Sequence, residues 1–349
     1  MLPPVPGFSR RSWIRLAAVA AAASGVACPS GQALALYNWG DYLAPEVLTR
    51  FQAATGIAAT QDYYLAEAEL MAKLRVGAAY DVVFPIDYVI ARMVREELLA
   101  PLDPAALPGL AHLDPATPAY TGKDGEIYAV PYLWGTTGIG YDSDRVEPPR
   151  SWKALFDPRY AGHISVIDSK GDVFDQALLA AGMDINSTDK PAIRERVMPM
   201  LVAQKALLRA YDSDPARALV AGDTWIAQID SGDLLRAQRR RPSLRYVIPD
   251  EGAVLWVDYV AIPRAARSPA AALRFLDFLL DPEIAAVNAN ALRFATPNRA
   301  ALERGLVEGA GDPALYPPAE VRAKLFTSEN WLGGTEALVD SLWLELRAG

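Results

Sequence analysis

The spacing of apolar residues between positions 34 and 98 constrains the fold more than any other feature of the chain. Leu34-Ala35-Leu36-Tyr37-Asn38 reads as a short apolar strand. Pro45 opens a helix, its fixed φ suiting a first helical position; Val47, Leu48 and Phe51 share one face, and Gly56 is placed to end it. Ile57 to Tyr64 is a second strand, and Ala66 to Val76 a second helix with Leu70, Met71 and Leu74 on its buried side. Tyr80 to Phe84 is a third strand and Val89 to Leu98 a third helix. This alternation implies right-handed crossovers and a parallel sheet, whose ligands sit beyond the carboxyl ends of the strands. Trp39 and Asp41 follow the first strand, and Asp87 and Tyr88 follow the third. Each end therefore offers an aromatic ring and a carboxylate.

The second half repeats the arrangement. His163 to Ile167 is a strand, followed by Asp168, Ser169 and Asp172 and a helix through Ala181. Trp225 to Ile229 is a strand, followed by Asp230, Asp233 and a helix, and Val254 to Asp258 ends near another such edge. A chain of 349 residues is too long for one small core, so two α/β units are expected. A cleft between them is where the acids and aromatics would meet. The bland reading of each residue stands beside this one. A single Trp in an α/β protein is more often core than ligand contact, and Asp172 and Asp233 suit a helix N-cap as well as a binding site.

The first 33 residues read as an export signal. Ser9-Arg10-Arg11-Ser12-Trp13-Ile14-Arg15 looks like a twin-arginine address, and the apolar run from Leu16 to Ala27 is too short to span a bilayer. Small residues ahead of a cut occur at 25–27 and again at 31–33. Cys28, the single cysteine, follows a sequence like a lipoprotein box that lacks its usual leucine, so lipid anchoring is the lesser alternative and no intrachain disulfide can form. Loss of Arg10, Arg11 and Arg15 with this segment takes the net charge from −8 to −11. Such an acidic surface disfavours nucleic acid and anionic lipid as partners.

Carboxylates form charge-assisted hydrogen bonds to ammonium groups, and Trp and Tyr faces attract cations while covering methylenes. An organic cation with an aliphatic chain fits this set. Acids lining an empty cleft repel one another, so a bound dication would favour the closed form.

Several separated segments resemble, in order, the bacterial periplasmic spermidine/putrescine-binding proteins, the substrate-binding components of polyamine ABC transporters. They are Tyr37-Asn38-Trp39-Gly40-Asp41-Tyr42, Tyr80 to Pro85, Pro131 to Tyr141, Glu251 to Asp258 and Tyr316 to Phe326. The resemblance covers essentially residues 34–349. It implies an α/β, two-lobed periplasmic-binding-protein fold of type II, each lobe a mostly parallel sheet flanked by helices, with the ligand cleft between the lobes. The first lobe would be 34–138 plus 259–305 and the second 139–258 plus 306–349, with crossings near Trp134–Gly140 and Asp258–Pro263.

By the same resemblance Trp39, Asp41 and Tyr42 stand at an aromatic, an acid and an aromatic of the ligand site. Tyr88 matches a further aromatic, Asp172 a Glu that contacts an amine, Asp233 an acid, and Trp256 with Asp258 an aromatic–acid pair. Phe294 stands at a Tyr, Gly40 at a Ser or Thr, Ile86 at a Ser, and Asp230 at a Trp that sandwiches the methylene chain. The change at Asp230 removes a stacking face and adds charge, which points to a longer or more highly charged amine, a guanidinium, or another cation. The expected function is capture of putrescine- or spermidine-type polyamines in the periplasm by a monomer that delivers them to membrane permease subunits; another organic cation, such as agmatine, a basic amino-acid derivative or a quaternary amine, is the alternative. No cofactor, metal site or catalytic residue is expected. Only His112 and His163 could act as imidazole bases, and neither sits in a nucleophile motif. The glycines from Gly135 to Gly140 lack the spacing of a phosphate loop. The basic run from Arg236 to Arg241 reads as a solvated helix end.

Overall fold

The computed structural model describes residues 33–329 and 334–349. The segment read as an export signal, Cys28 included, lies outside the described residues, apart from Ala33.

The first half forms as its periodicity predicts. Strand β1 (Leu34–Trp39) lies between β2 (Ala59–Tyr64) and β3 (Val82–Val83), parallel to both. Helix α1 (Pro45–Thr55) begins on Pro45 and closes on Gly56, whose φ of 74° is the left-handed region glycine tolerates. Helix α2 (Glu67–Arg75) buries Leu70, Met71 and Leu74. Two boundaries differ from the expected ones. The third strand is only two residues long, and helix α3 (Asp87–Arg95) starts two residues early, so Asp87 and Tyr88 form its first turn. Val89, Ile90 and Met93 supply its buried face from there.

The short β4 (Tyr120–Thr121) pairs with β5 (Ile127–Asp142), a 16-residue strand. The remaining strands are β6 (Ile164–Ile167), β7 (Leu208–Asp212), β8 (Ile226–Asp230), β9 (Leu244–Val247), β10 (Ala253–Ala261) and β11 (Leu325–Phe326). The sheet runs β2-β1-β3-β10-β5-β8-β6-β7, with β4 and β9 on β5 and β11 on β10. Its two flanks contain parallel pairs, as crossovers require. The central strands β5 and β10 run antiparallel to each other and to their flanking neighbours β8 and β3. Asp258 is therefore not at a strand end, as expected, but inside β10, which continues to Ala261 because its apolar run pairs with the start of β5.

Two large cores flank this centre. One gathers Leu34, Phe51, Phe84, Leu133, Trp256 and Phe275; the other Ile139, Trp152, Phe174, Leu201, Ile226 and, from the C-terminal helix Thr335–Ala348, Val339, Leu342 and Leu346. Three arginines of the 236–241 run are paired, Arg236 with Asp233, Arg239 with Glu308 and Arg241 with Asp142, so this helix end is tied down rather than merely solvated.

Candidate functional site

Asp258 is the centre of the candidate site. It is 6% exposed. At the register shift between Asp258 and Tyr259, β5 carries the extra residue, Tyr132, next to Pro131, which has no amide hydrogen to give the ladder. Asp258 Oδ2 accepts the Tyr42 hydroxyl at 2.6 Å. Its Oδ1 is buried and accepts no hydrogen bond among the described residues. Burial pushes the Asp258 carboxyl up to about 7; the Tyr42 hydroxyl opposes this and Asp87 adds to it.

Tyr42 is held in turn. Its carbonyl accepts the Tyr132 hydroxyl at 2.7 Å, and Asn288 donates to that same hydroxyl at 2.8 Å while accepting the Ala44 amide. Its ring meets Tyr132 and Phe294 edge-on, with centroids 5.7 and 5.6 Å away. Trp256 meets Phe294 the same way at 5.3 Å. A Cβ on Gly135 would lie 2.5 Å from the Trp256 indole, and one on Gly232 would lie 2.3 Å from the Phe294 ring. Glycine at these two positions makes room for the aromatic wall.

Asp230, the last residue of β8, also meets Trp256. Its Oδ1 accepts the Thr137 hydroxyl at 2.6 Å and the Trp256 indole N–H at 3.1 Å. Burial, with Asp233 and Asp172 nearby, raises its carboxyl to about 8 against those two donors. Asp233 pairs with Arg236, which also donates to the Leu292 carbonyl and lies over the Phe294 ring. Of Asp258, Asp87, Asp172, Asp230 and Asp233, only Asp233 has a cationic partner among the described residues.

The helix-cap reading of Asp172 and Asp233 does not hold. Helix α4 (Lys170–Ala180) is capped by Ser169, whose hydroxyl accepts the Asp172 amide, and the helix Ser231–Gln238 has Asp230 at its N-cap position. Asp172 is pushed up by burial, as is Asp175 one turn on. Asp172 lies close enough to Tyr88 to raise its hydroxyl, together with Glu67, Asp87 and Asp258 and after burial itself. Acids from both halves of the chain thus converge at Tyr88.

Trp39 borders this convergence through Tyr64, whereas Asp41 stands apart from it. Trp39 is half-buried, donates Nε1 to the Phe84 carbonyl at 3.2 Å and packs on Tyr64 at 4.4 Å. Asp41 is exposed, at a φ of 52°. The histidines also lie elsewhere: His163 stacks on Trp225 at 3.7 Å and His112 meets the Leu280 carbonyl.

Two positions, Thr137 and Glu67, go unnoticed in a reading by strand ends, and Asp87, named there, is held by contacts that such a reading does not show. Thr137 anchors Asp230 from inside β5. Asp87 fixes its orientation by accepting the Tyr88 and Val257 amides, and burial raises it to about 7 against them. Glu67, in the first turn of α2, is 9% exposed. A buried Glu at the start of an apolar helix face is the one signal that could have exposed it.

Two α/β cores joined through shared central strands, with acids from both converging beside an aromatic wall, define a two-lobed solute-binding protein. The chain belongs to the bacterial extracellular solute-binding protein family, whose model matches residues 46–316. It is 31% identical over 344 residues to the spermidine/putrescine-binding periplasmic protein of Salmonella typhimurium, covering 97% of this chain and 98% of that protein. It is 31% identical over 353 residues to the putrescine/cadaverine-binding protein of Pseudomonas aeruginosa, covering 95% and 99%. Among solved structures it resembles the spermidine/putrescine ABC transporter substrate-binding protein PotD of Streptococcus pneumoniae in complex with calcium and HEPES, with a TM-score of 0.79 and 29% identity, covering 91% and 99%.

Proposed function

We propose that this protein is the solute-binding component of an ABC importer and that it captures a linear polyamine between its two lobes in the periplasm. The observation that carries the reading is Asp258, a buried carboxylate with one bare oxygen, set between the Trp256 and Tyr42 side of the aromatic wall and Asp87. A buried bare acid oxygen is costly, and an ammonium group supplies both the missing donor and the missing charge. The wall of Trp256, Tyr42 and Phe294 offers the apolar surface that methylenes need. The names of the relatives agree with this ligand class.

The ligand contacts in this reading are Tyr42, Tyr88, Asp172, Asp230, Trp256, Asp258 and Phe294, with Trp39, Asp41 and Asp233 closer to its margin. The lobes are 34–138 plus 259–305 and 139–258 plus 306–349, with Trp256 contributed to the first lobe's core. Closure about β5 and β10 brings them together and forms the surface that permease subunits read. The protein acts as a monomer and carries out no catalysis of its own.

Calorimetric titration with putrescine, spermidine, spermine and agmatine, with glutamate and choline as controls, tests this. Saturable binding of one or more amines without response to the controls is the expected result. Choline binding in place of every polyamine would sink it.

A further inference from the structure

Glu67 is a buried acid that the site as described leaves unused. Its Oε1 accepts the Ile86 amide at 3.0 Å. Its Oε2 is buried without a hydrogen-bond partner among the described residues, as is Asp258 Oδ1. The two carboxylates share a neighbour: Ile86 donates to Glu67 and forms an isolated β-bridge with Asp258. Asp87 follows Ile86 in the chain. The buried phenols of Tyr64 and Tyr88 lie within electrostatic reach of both Glu67 and Asp258.

Packing for its own sake does not explain this arrangement. A glutamate inside a fold costs least when both oxygens are satisfied, and a neutral side chain would fill the space at lower cost. Two bare acid oxygens, on residues that both meet Ile86, ask for donors that are positively charged. Asp230 already holds two donors on one oxygen. An amine with two charged nitrogens, spanning Asp258 and Asp230, leaves Glu67 uncompensated.

Resting on the polyamine reading, we propose that Glu67, with Asp87 nearby, forms an ammonium subsite additional to the one at Asp258, so that the protein takes linear amines with three charged nitrogens in preference to diamines. Burial holds the Glu67 carboxyl well above the usual range; the Ile86 amide opposes this, and Asp258 and Asp87 add to it. The groups facing it are Tyr64 on β2, Asp87 and Tyr88 on α3 and Asp258 on β10. Burial and the neighbouring acids favour the protonated form of Glu67 in the empty protein. An arriving ammonium stabilises the carboxylate, and the proton leaves to solvent.

The test is calorimetric titration of wild-type protein and Glu67→Gln with putrescine and spermidine at pH 7, each in two buffers of different ionisation enthalpy. Glu67→Gln is expected to weaken spermidine by at least about tenfold and putrescine by less than about threefold. Wild type is expected to release more protons with spermidine than the variant does. Equal weakening of both amines, no weakening of either, or an unchanged proton count overturns the subsite while leaving the polyamine function standing. Wild-type protein that binds neither amine overturns both. If Glu67→Gln does not melt cooperatively, Glu67→Asp carries the same comparison, because it keeps the charge but withdraws it by one methylene; its spermidine affinity is then expected to fall while putrescine affinity holds.

Discussion

Asp258, buried, and Asp230, half-buried, both lie near Trp256, and the fold treats them in opposite ways. Asp258 receives one hydroxyl and keeps one oxygen bare. Asp230 receives a hydroxyl and an indole N–H on a single oxygen. The first has acceptor capacity to spare; the second spends much of its own holding Trp256 against Thr137. Where the relatives are expected to stack a Trp, this chain has a carboxylate that positions a different Trp. Charge at Asp230 is therefore partly structural, whereas Asp258 keeps an oxygen that no described residue uses.

The sharpest way to break this contrast is Asp258→Asn. Loss of the counter-charge in a closed site is expected to weaken polyamine binding about 100-fold, or about 3 kcal/mol, by titration; a change under about threefold would put the two carboxylates on the same footing. Next in size is pH. Asp258 and Asp87 at about 7 and Asp230 at about 8 are substantially protonated in the empty protein at pH 6. A cationic ligand requires at least one of them ionised, so affinity should rise about tenfold between pH 6 and 8, with proton release that fades above 8. The same raised values mean that the folded empty protein binds more protons than the unfolded chain between about pH 4 and 8. Its melting temperature should then fall as pH rises through that window, and saturating ligand should flatten the fall. A pH-independent affinity would mean the acids are already ionised.

Asp230→Asn should cost about three- to tenfold in affinity, because the amide still accepts from Thr137 and Trp256 while the charge is gone. Asp230→Trp should shift the rank order of amines; an unchanged order would show that position 230 does not set selectivity. The smallest effect is expected at Asp233→Asn. Arg236 already neutralises this residue, and the pair is a third exposed, so binding should change by less than about threefold while stability falls by up to about 1 kcal/mol on chemical denaturation.

The fold was largely legible because the early helices announce themselves by chemistry: Pro45 and Gly56 bracket α1, and the apolar triads of α2 and α3 fix their buried faces. The centre of the sheet was not. Asp258 reads as a strand end because it breaks an apolar run, yet β10 continues because β5 lies beside it, a partner more than a hundred residues away. The site was legible in part. Trp256, Tyr42, Tyr88 and the acids at 172, 230 and 258 are brought near one another. Asp41 stays exposed, Trp39 is tied to Phe84 and Tyr64, and Asp233 is taken up by Arg236. Spacing along the chain places a side chain at a strand end but cannot say which donors will already have claimed it. Thr137 and Glu67 lie inside regular elements, where periodicity marks them only as positions.

The ladder between β5 and β10 runs from Ala129 opposite Ala261 to Thr137 opposite Val254, interrupted only at the bulge by Asp258. Two strands bonded over such a length resist rotation at any single residue, since that would sever neighbouring rungs. Bending is absorbed instead as a change of twist shared along the ribbon. The connection between the cores therefore behaves as a leaf spring rather than a pin joint. Its backbone amides should exchange with solvent as slowly as those of the cores, and proteases should leave it untouched in either state. A cut or inserted linker in this ribbon would unmake the sheet itself, so a split or permuted form of the protein has to be opened in its surface loops.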